Sequence, residues 1–105
     1  MNRLDTHVKH GYHEEYHHNG IMSGKGHYNM GLKEGYWETY YDAGVVMWKG
    51  NFNRGRMCGH WIGYYTDGEL SYDGHYDNNG KRIGYWLWNW MGDGNDIIQH
   101  ESFYL

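Results

Sequence analysis

The chain has 105 residues, enough for one domain, and its 9 Lys and Arg against 13 Asp and Glu give a formal net charge of −4 with histidine neutral. This balance argues against a nucleic-acid or anionic-membrane partner, because both usually require a basic surface. No run of about 18 apolar residues is present that could span a membrane as a helix, and the 12 Tyr, 6 Trp and 17 Gly residues favour strands over long helices.

An internal repeat runs along the chain. A glycine followed by two ring-bearing side chains recurs at offsets of 24, 24 and 25 residues, beginning at Gly11, Gly35, Gly59 and Gly84. Other glycines recur in register with them, namely Gly20, Gly44 and Gly68, and Gly26, Gly50 and Gly74. We predict four repeats in a single domain over residues 1–105, with boundaries at 11–34, 35–58, 59–83 and 84–105. The extra residue of the third repeat falls in a predicted turn at residues 77–80, where an insertion disturbs no strand.

The second repeat shows the structure expected of each unit. If residues 36–41 form a strand, their side chains alternate between two faces. One face carries Trp37, Thr39 and Tyr41, and the other carries Tyr36, Glu38 and Tyr40. A turn is predicted at residues 42–44, and the return strand runs from Val45 to about Phe52. The chain is therefore predicted to be an all-β, single-domain antiparallel β-meander of about four tandem 24-residue hairpin repeats.

The repeats agree on which face is buried, because Trp37, Trp61 and Trp86 occupy the same place in three units. A continuous aromatic stripe is predicted from Trp37, Tyr41, Val46, Trp48, Phe52, Trp61, Tyr65, Leu70, Tyr72, Tyr76, Trp86 and Trp90. The glycines at positions 26, 50 and 74 fall among these large residues and leave room for a neighbouring ring to lie on the backbone. A single hairpin cannot bury its apolar face alone, so stability is expected from the stacking of neighbouring units.

The ends of an open meander have unpaired strand edges, and such edges invite strand addition. The last strand, around Ile97 to Tyr104, is apolar enough to pair with another chain. We therefore expect self-association or partner binding through a terminal unit. The competing interpretation is that residues 96–100 fold back as a cap.

The pattern Gly-x-Trp-x-x-Tyr-Tyr-x-x-Gly, followed by Gly-x-Tyr/Phe-x-x-Gly, resembles the MORN repeat (membrane occupation and recognition nexus). The residues that carry the resemblance are Gly35, Trp37, Tyr40, Tyr41, Gly44, Gly50, Phe52 and Gly55, and in the third repeat Gly59, Trp61, Tyr64, Tyr65, Gly68, Gly74, Tyr76 and Gly80. It covers about residues 11–92 and is most similar to the bacterial variant in YwqK-type antitoxins. The resemblance implies a hairpin-repeat fold, which occurs in scaffolds, membrane-associated proteins and antitoxins. The first repeat departs from the pattern, with His13 in place of Trp and His17 in place of Tyr.

Catalytic motifs are not apparent in the sequence. It has no Gly-x-Ser-x-Gly, P-loop, His-Glu-x-x-His or Cys-x-x-Cys pattern, so we predict that the chain is not an enzyme and uses no cofactor. Cys58 is the one thiol and is expected to be a small packed side chain rather than a nucleophile. It allows no internal disulfide, and no secretory signal is visible, so a cytoplasmic location is expected.

Five of the nine histidines lie near the start of the chain, at His7, His10, His13, His17 and His18. His13 and His17 share a predicted face with Glu15, and imidazole with carboxylate can coordinate a divalent ion. The alternative is that histidine replaces aromatic residues because the first repeat is a solvated cap. We favour the cap and predict no metal site.

A protein partner remains the expected ligand, because Tyr and Trp are common anchors of interfaces. The predicted binding residues are Tyr36, Tyr40, Tyr64, Tyr85 and Trp88. We predict an antitoxin-like or inhibitor-like module that occludes an intracellular protein target. The basic residues Arg54, Arg56, Lys81 and Arg82 lie on predicted turns along one edge and are expected to be solvated.

Two other function classes remain open. One is a structural scaffold that only stacks with itself. The other is a module that binds a small ligand or cell wall through aromatic pockets, because aromatic and glycine repeats of similar length also build choline-binding modules. Those modules carry Trp-Tyr-Tyr contiguously, whereas here two residues separate Trp37 from Tyr40.

Overall fold

The computed structural model describes residues 8–91 and 97–105. Eight strands form one sheet in which neighbours in sequence are neighbours in space, and every pairing is antiparallel. The strands are β1 (Gly11–Tyr16), β2 (Met22–Asn29), β3 (Leu32–Tyr40), β4 (Val46–Asn53), β5 (Arg56–Tyr64), β6 (Leu70–Tyr76), β7 (Arg82–Met91) and β8 (Ile97–Tyr104). The predicted all-β antiparallel meander is confirmed. The described part of the chain contains no helix of the length and apolarity needed to cross a membrane.

Two kinds of turn alternate along the meander. Between β2 and β3, Met30 and Gly31 both have positive φ, at 51° and 84°. Two such residues in succession are typical of a tight turn whose twist matches that of the flanking strands. The loops within repeats are longer, and in the second repeat the Tyr41 N–H donates to the Val45 carbonyl at 2.8 Å. Tyr65 makes the equivalent bond to Glu69, so successive repeats close their hairpins in the same way.

The extra residue of the third repeat lies in the turn between β6 and β7, as predicted. There the Asp77 carboxylate accepts the backbone N–H groups of Asn79 at 2.8 Å and Lys81 at 3.0 Å. The Asp77 N–H also donates to the Lys81 carbonyl, which closes the longer loop without altering the strands on either side. The inserted residue is therefore absorbed by a self-contained turn.

A β-bulge recurs where each new repeat begins. Between the pairs Lys25 with Glu38 and His27 with Glu34, one residue of β2, Gly26, faces three residues of β3. Gly35 begins this bulge with a φ of 73°, a left-handed conformation that side chains rarely adopt. The same irregularity recurs between β4 and β5 and between β6 and β7. The Gly-x-Trp motif of the sequence is thus the motif that forms the bulge.

Each bulge places a tryptophan against a glycine of the preceding strand. The contacting pairs are Trp37 with Gly26, Trp61 with Gly50, and Trp86 with Gly74. A Cβ atom added at these glycines would lie 2.3, 2.3 and 2.1 Å from the nearest indole atom, so the rings contact bare backbone. The indole N–H groups donate to the carbonyls of His27, Asn51 and His75 at 2.9, 3.0 and 3.1 Å. The three tryptophans are 0%, 1% and 1% exposed, which confirms the predicted burial.

The face of the sheet that carries these three indoles, named here the tryptophan face, holds the core. Trp48 and Phe52 contact Trp61, with ring centroids 4.8 and 5.2 Å apart. Tyr76 meets Trp86 edge-on at 4.9 Å. The sheet measures 60 × 39 × 15 Å, a single layer, so rings on one face replace the second layer that most domains use.

The prediction that Val46 and Leu70 belong to the aromatic stripe is wrong. A second register shift, after Thr39, pairs Val46 with Tyr40, so both side chains lie on the face opposite the tryptophans. Leu70 pairs with Tyr64 after the equivalent shift in the next hairpin. One extra residue on the return strand reverses the alternation of side chains, and nothing in the spacing of the apolar residues reveals it.

We expect Gly50→Ala to lower the free energy of unfolding by about 1–3 kcal/mol or more, because the new methyl group overlaps the Trp61 ring. Gly24→Ala is the matched control, since Gly24 also lies in a strand without positive φ but its added Cβ would have closest neighbours at 3.4 Å. Urea denaturation of the two variants measures the difference. Equal effects would show that the contact between indole and glycine is not what restricts these positions.

Candidate functional site

The face opposite the tryptophans carries a series of tyrosines, and we name it the tyrosine face. Its tyrosines are Tyr12, Tyr16, Tyr36, Tyr40, Tyr64 and Tyr85. Tyr36 is 49% exposed and Tyr85 is 73% exposed. Contiguous exposed patches of large, partly apolar side chains often mark interaction sites.

The structure divides the five predicted binding residues between the two faces. Tyr36, Tyr40, Tyr64 and Tyr85 lie on the tyrosine face. Trp88 lies on the tryptophan face, where its ring stacks on Trp86 at 5.1 Å. Because positions 85 and 88 differ by an odd number in a strand, their side chains point to opposite sides.

Two clusters of the form Tyr-x-Glu-x-Tyr lie on the tyrosine face, and neither was predicted as a unit from the sequence. Glu38 accepts the Tyr36 hydroxyl at 2.6 Å and also accepts the Tyr40 hydroxyl. In the first repeat Glu14 accepts the hydroxyls of Tyr12 at 2.9 Å and Tyr16 at 2.8 Å. The signal was present in the sequence as a two-residue period repeated after 24 residues.

Hydrogen bonding within the cluster around Glu38 fixes the ionisation state of its members at neutral pH. Hydrogen bonds from Tyr36 and Tyr40 lower the pKa of the Glu38 carboxyl below its ordinary value. Burial, followed by the hydrogen bond to Glu38, raises the pKa of Tyr40 to about 12 and shifts the pKa of Tyr36 in the same direction. The carboxylate is therefore ionised and both phenols are protonated at neutral pH. The arrangement orients the rings and exposes no group that titrates near neutrality.

A row of side chains in register crosses the middle of the tyrosine face. From β1 to β8 it consists of Glu14, Lys25, Glu38, Lys49, Ile62, Asp73, Leu87 and Glu101. Acidic and basic residues alternate in its first half, where Lys25 Nζ lies 3.8 Å from a Glu38 oxygen. In its second half two acidic residues alternate with two aliphatic ones. The two halves of the face therefore offer different surfaces.

The second half of the tyrosine face combines acidic and aromatic groups. His60 Nε2 lies 2.6 Å from an Asp73 carboxylate oxygen, and the His60 ring stacks on His75 with centroids 4.7 Å apart. The Tyr85 ring contacts the exposed Phe103 ring, with centroids 4.8 Å apart. This half provides an apolar contact area with acidic residues in it.

The weak metal candidates of the first repeat are engaged in other contacts. Glu15 accepts hydrogen bonds from the Lys9 ammonium at 2.8 Å and from the Tyr28 hydroxyl at 3.0 Å. The His13 ring meets the Tyr28 ring edge-on, with centroids 5.3 Å apart. Over residues 8–91 and 97–105 no group of three or more His, Cys, Asp or Glu side chains is arranged to hold a metal ion. His7 lies outside the described residues.

His17 has a structural partner in the next repeat. Its Nε2 lies 2.8 Å from the Tyr40 carbonyl, so that nitrogen is the donor. Tyr41 makes the equivalent bond to the Tyr64 carbonyl at 2.7 Å, and Tyr65 donates to the Asn89 carbonyl. Histidine at position 17 thus performs the linking role of the tyrosine that it replaces.

Cations cover part of the tryptophan face. Lys9, Lys33 and Arg82 occupy equivalent positions and lie over aromatic rings, with Lys33 Nζ 5.2 Å from the Trp37 centroid. The Arg82 guanidinium lies 5.4 Å from Trp86 and 5.0 Å from Trp88. Arg82 was expected to be a solvated turn residue, and the contact with these rings corrects that expectation.

Two open concavities of similar volume lie on the described part of the sheet. One of about 410 Å³ is lined by Tyr76, Gly80, Lys81, Arg82 and Tyr104, and one of about 400 Å³ on the tyrosine face is lined by Tyr12, Lys25, Gly26, His27, Tyr36 and Glu38. Cys58 is partly buried, and burial raises the pKa of its thiol. A raised thiol pKa lowers the thiolate fraction, as expected of a packed cysteine.

Comparison with known families finds similarity in two segments. The family model of the MORN repeat variant matches residues 9–30 and residues 57–78. These segments cover the first hairpin and all but the first residue of the third, and they begin at Lys9 and Met57, which are equivalent positions two repeats apart. The first repeat is matched although His13 and His17 depart from the pattern. No curated protein and no solved structure matches the chain.

We expect Glu38→Gln to lower the free energy of unfolding by about 1 kcal/mol at neutral pH, because an amide replaces the carboxylate that accepts both phenols. The folded pKa of Glu38 is depressed, so its contribution is complete above the ordinary glutamate pKa and is lost as the pH falls through the folded value. Urea melts at about pH 7 and about pH 3 should therefore show a difference that shrinks in acid. Glu69→Gln, in an exposed turn, is the control and should change little at either pH.

Proposed function

We propose that this chain is a non-enzymatic protein-binding module that covers an intracellular protein target with its tyrosine face. MORN repeats are typical of repeat-based binding or scaffold modules, and two segments of this chain match the repeat variant. The observation that carries the proposal is the set of tyrosines left in solvent on the face that the core does not use, among which Tyr85 is 73% exposed.

The clusters around Glu14 and Glu38 suit such a surface. A tyrosine offers a large, partly apolar contact area and loses little conformational entropy when it binds. Hydrogen bonds to a shared carboxylate fix the positions of Tyr36 and Tyr40 before any partner arrives. Part of the entropic cost of ordering side chains at an interface is then met during folding.

The shape of the sheet favours occlusion over the capture of a small molecule. The sheet is 15 Å thick and about 60 Å long, and its concavities are shallow rather than enclosing. Pockets for small ligands usually surround most of the ligand surface. A broad face with anchored tyrosines is better suited to covering a patch of another protein, as an antitoxin or inhibitor of the YwqK type would do in the cytoplasm.

An affinity pull-down with quantified stoichiometry tests the proposal. We expect one protein to be retained at a fixed ratio, and the double variant Tyr36→Ala, Tyr85→Ala to weaken its binding by about tenfold or more. Trp90→Ala removes a ring of similar exposure, 51%, from the tryptophan face and should leave binding intact. Retention of no protein in stoichiometric amount, or loss of binding in the Trp90 variant alone, would contradict the proposal.

A scaffold that stacks with itself is a second candidate, and the open edges of the sheet favour it. Strands β1 and β8 each have one neighbouring strand among the described residues. A scaffold of this kind would associate through strand edges and would retain no other protein. The mass of the chain in solution, measured beside the pull-down, separates the two functions.

A further inference from the structure

The pairing of β8 differs from the pairing of every other strand. All pairings from β1 with β2 to β6 with β7 contain a register shift. Strand β8 pairs with β7 from Ile97 to Tyr104 without one. Its outer edge is therefore straight over eight residues, and among residues 8–91 and 97–105 no strand lies against it. Long, straight, uncovered edges are templates for further strand pairing.

The same edge cannot accept another repeat of the kind that builds the sheet. Trp37 and Trp61 pair with Gly50 and Gly74, the glycines that receive the next indole. Trp86 pairs with Ser102 instead. A Cβ atom at the receiving position would overlap an incoming indole, as it would at the other receiving glycines. Strand β8 thus fits a regular strand without a bulge, and β8 itself is such a strand.

The other end of the sheet is less suited to strand addition. Strand β1 has six residues and a register shift between Glu15 and Tyr16. Its first residue, Gly11, has a φ of 85°. A short, irregular edge offers few evenly spaced donors and acceptors to a second strand.

We propose that two copies of the chain pair antiparallel through β8, about a two-fold axis perpendicular to the sheet that passes through His100. Such an axis keeps each face of the sheet on the same side in both copies and makes one sheet from two. The contact is isologous, as in most homodimers, because each strand meets its own copy.

Charge selects the register. With His100 on the axis, residues 97–103 of one strand pair with residues 103–97 of the other, and Glu101 lies opposite Gln99. With Glu101 on the axis, two carboxylates lie directly opposite each other, which is destabilising. Axes at Gln99 or Ser102 leave shorter ladders, over residues 97–101 or 100–104. The His100 register also brings exposed Ile97 against exposed Phe103.

The dimer would extend the tyrosine face, and of that face only side chains of β8 would meet across the junction. In the selected register the tyrosine faces of both copies lie on one side of a continuous sheet, with the contact of Phe103 and Tyr85 beside the junction. A protein target could then meet two equivalent surfaces. The dimer does not depend on the proposed function, because a monomer could bind the same target through the same face.

Sedimentation velocity at about pH 8 tests the dimer. We expect a mass twice the 12.5 kDa of the chain, and Gln99→Glu should raise the dissociation constant by about tenfold or more because it places carboxylates opposite both copies of Glu101. Asn29→Asp adds the same charge at an exposed position outside β8 and should leave the dimer intact. A monomeric chain, or a dimer that Gln99→Glu does not weaken, would overturn the proposal.

Disulfide trapping tests the register in chains whose one natural thiol is removed by Cys58→Ser. Directly opposed residues of antiparallel strands have Cα atoms about 4.5–5.5 Å apart, within the range that a disulfide spans. His100→Cys should therefore form a covalent dimer under mild oxidation, and Ser102→Cys, which keeps Glu101 and lies opposite Ile98 in this register, should form much less. More cross-linking at position 102 than at position 100, or none at position 100, would contradict this register. Tyr36→Ala, on β3 and several strands away from β8, should change neither readout, which separates failure of the dimer from failure of target binding.

Discussion

The contact between each buried indole and a glycine of the preceding strand is the constraint on which this sheet depends. A tryptophan can lie on backbone only where the facing residue lacks a Cβ atom, and each of these tryptophans lies at a bulge of its own strand. The Gly-x-Trp motif provides the bulge, and the indole N–H bonds a carbonyl where the ladder is interrupted. Loss of a large buried aromatic side chain typically costs about 3–5 kcal/mol, so a few such contacts can stabilise a sheet that has no second layer.

This constraint also assigns the two faces their roles. The indoles and the rings packed on them occupy one face, partly covered by the cations at Lys33 and Arg82. The opposite face is left with residues that the core does not need, and four of its tyrosines, Tyr12, Tyr16, Tyr36 and Tyr40, donate hydrogen bonds to Glu14 or Glu38. The core and the proposed binding surface therefore lie on opposite sides of a single layer.

The sequence predicted what depends on spacing and missed what depends on single-residue irregularities. The burial of Trp61 and the need for Gly50 followed from positions repeated every 24 residues. The placement of Val46 did not, because a bulge on the return strand reversed its side while leaving the apolar pattern unchanged. The partners of His17 and Arg82 lie across strands, where the register decides which groups meet. The Tyr-x-Glu-x-Tyr clusters could have been found, since strand alternation alone brings their side chains together.

The ends of the sheet follow from the same rule. A tryptophan of this kind lies against a glycine of the strand before it. Among the described residues no strand precedes β1, and position 13 there carries histidine, whose ring meets Tyr28 edge-on. At the other end Ser102 stands where a glycine would receive one more indole, so the row of tryptophans stops at Trp86. Both substitutions end the repeat without distorting the strand that carries them. The end at β8 keeps a full, regular ladder, and a sheet whose own repeat can no longer extend it remains open to pairing of a different kind.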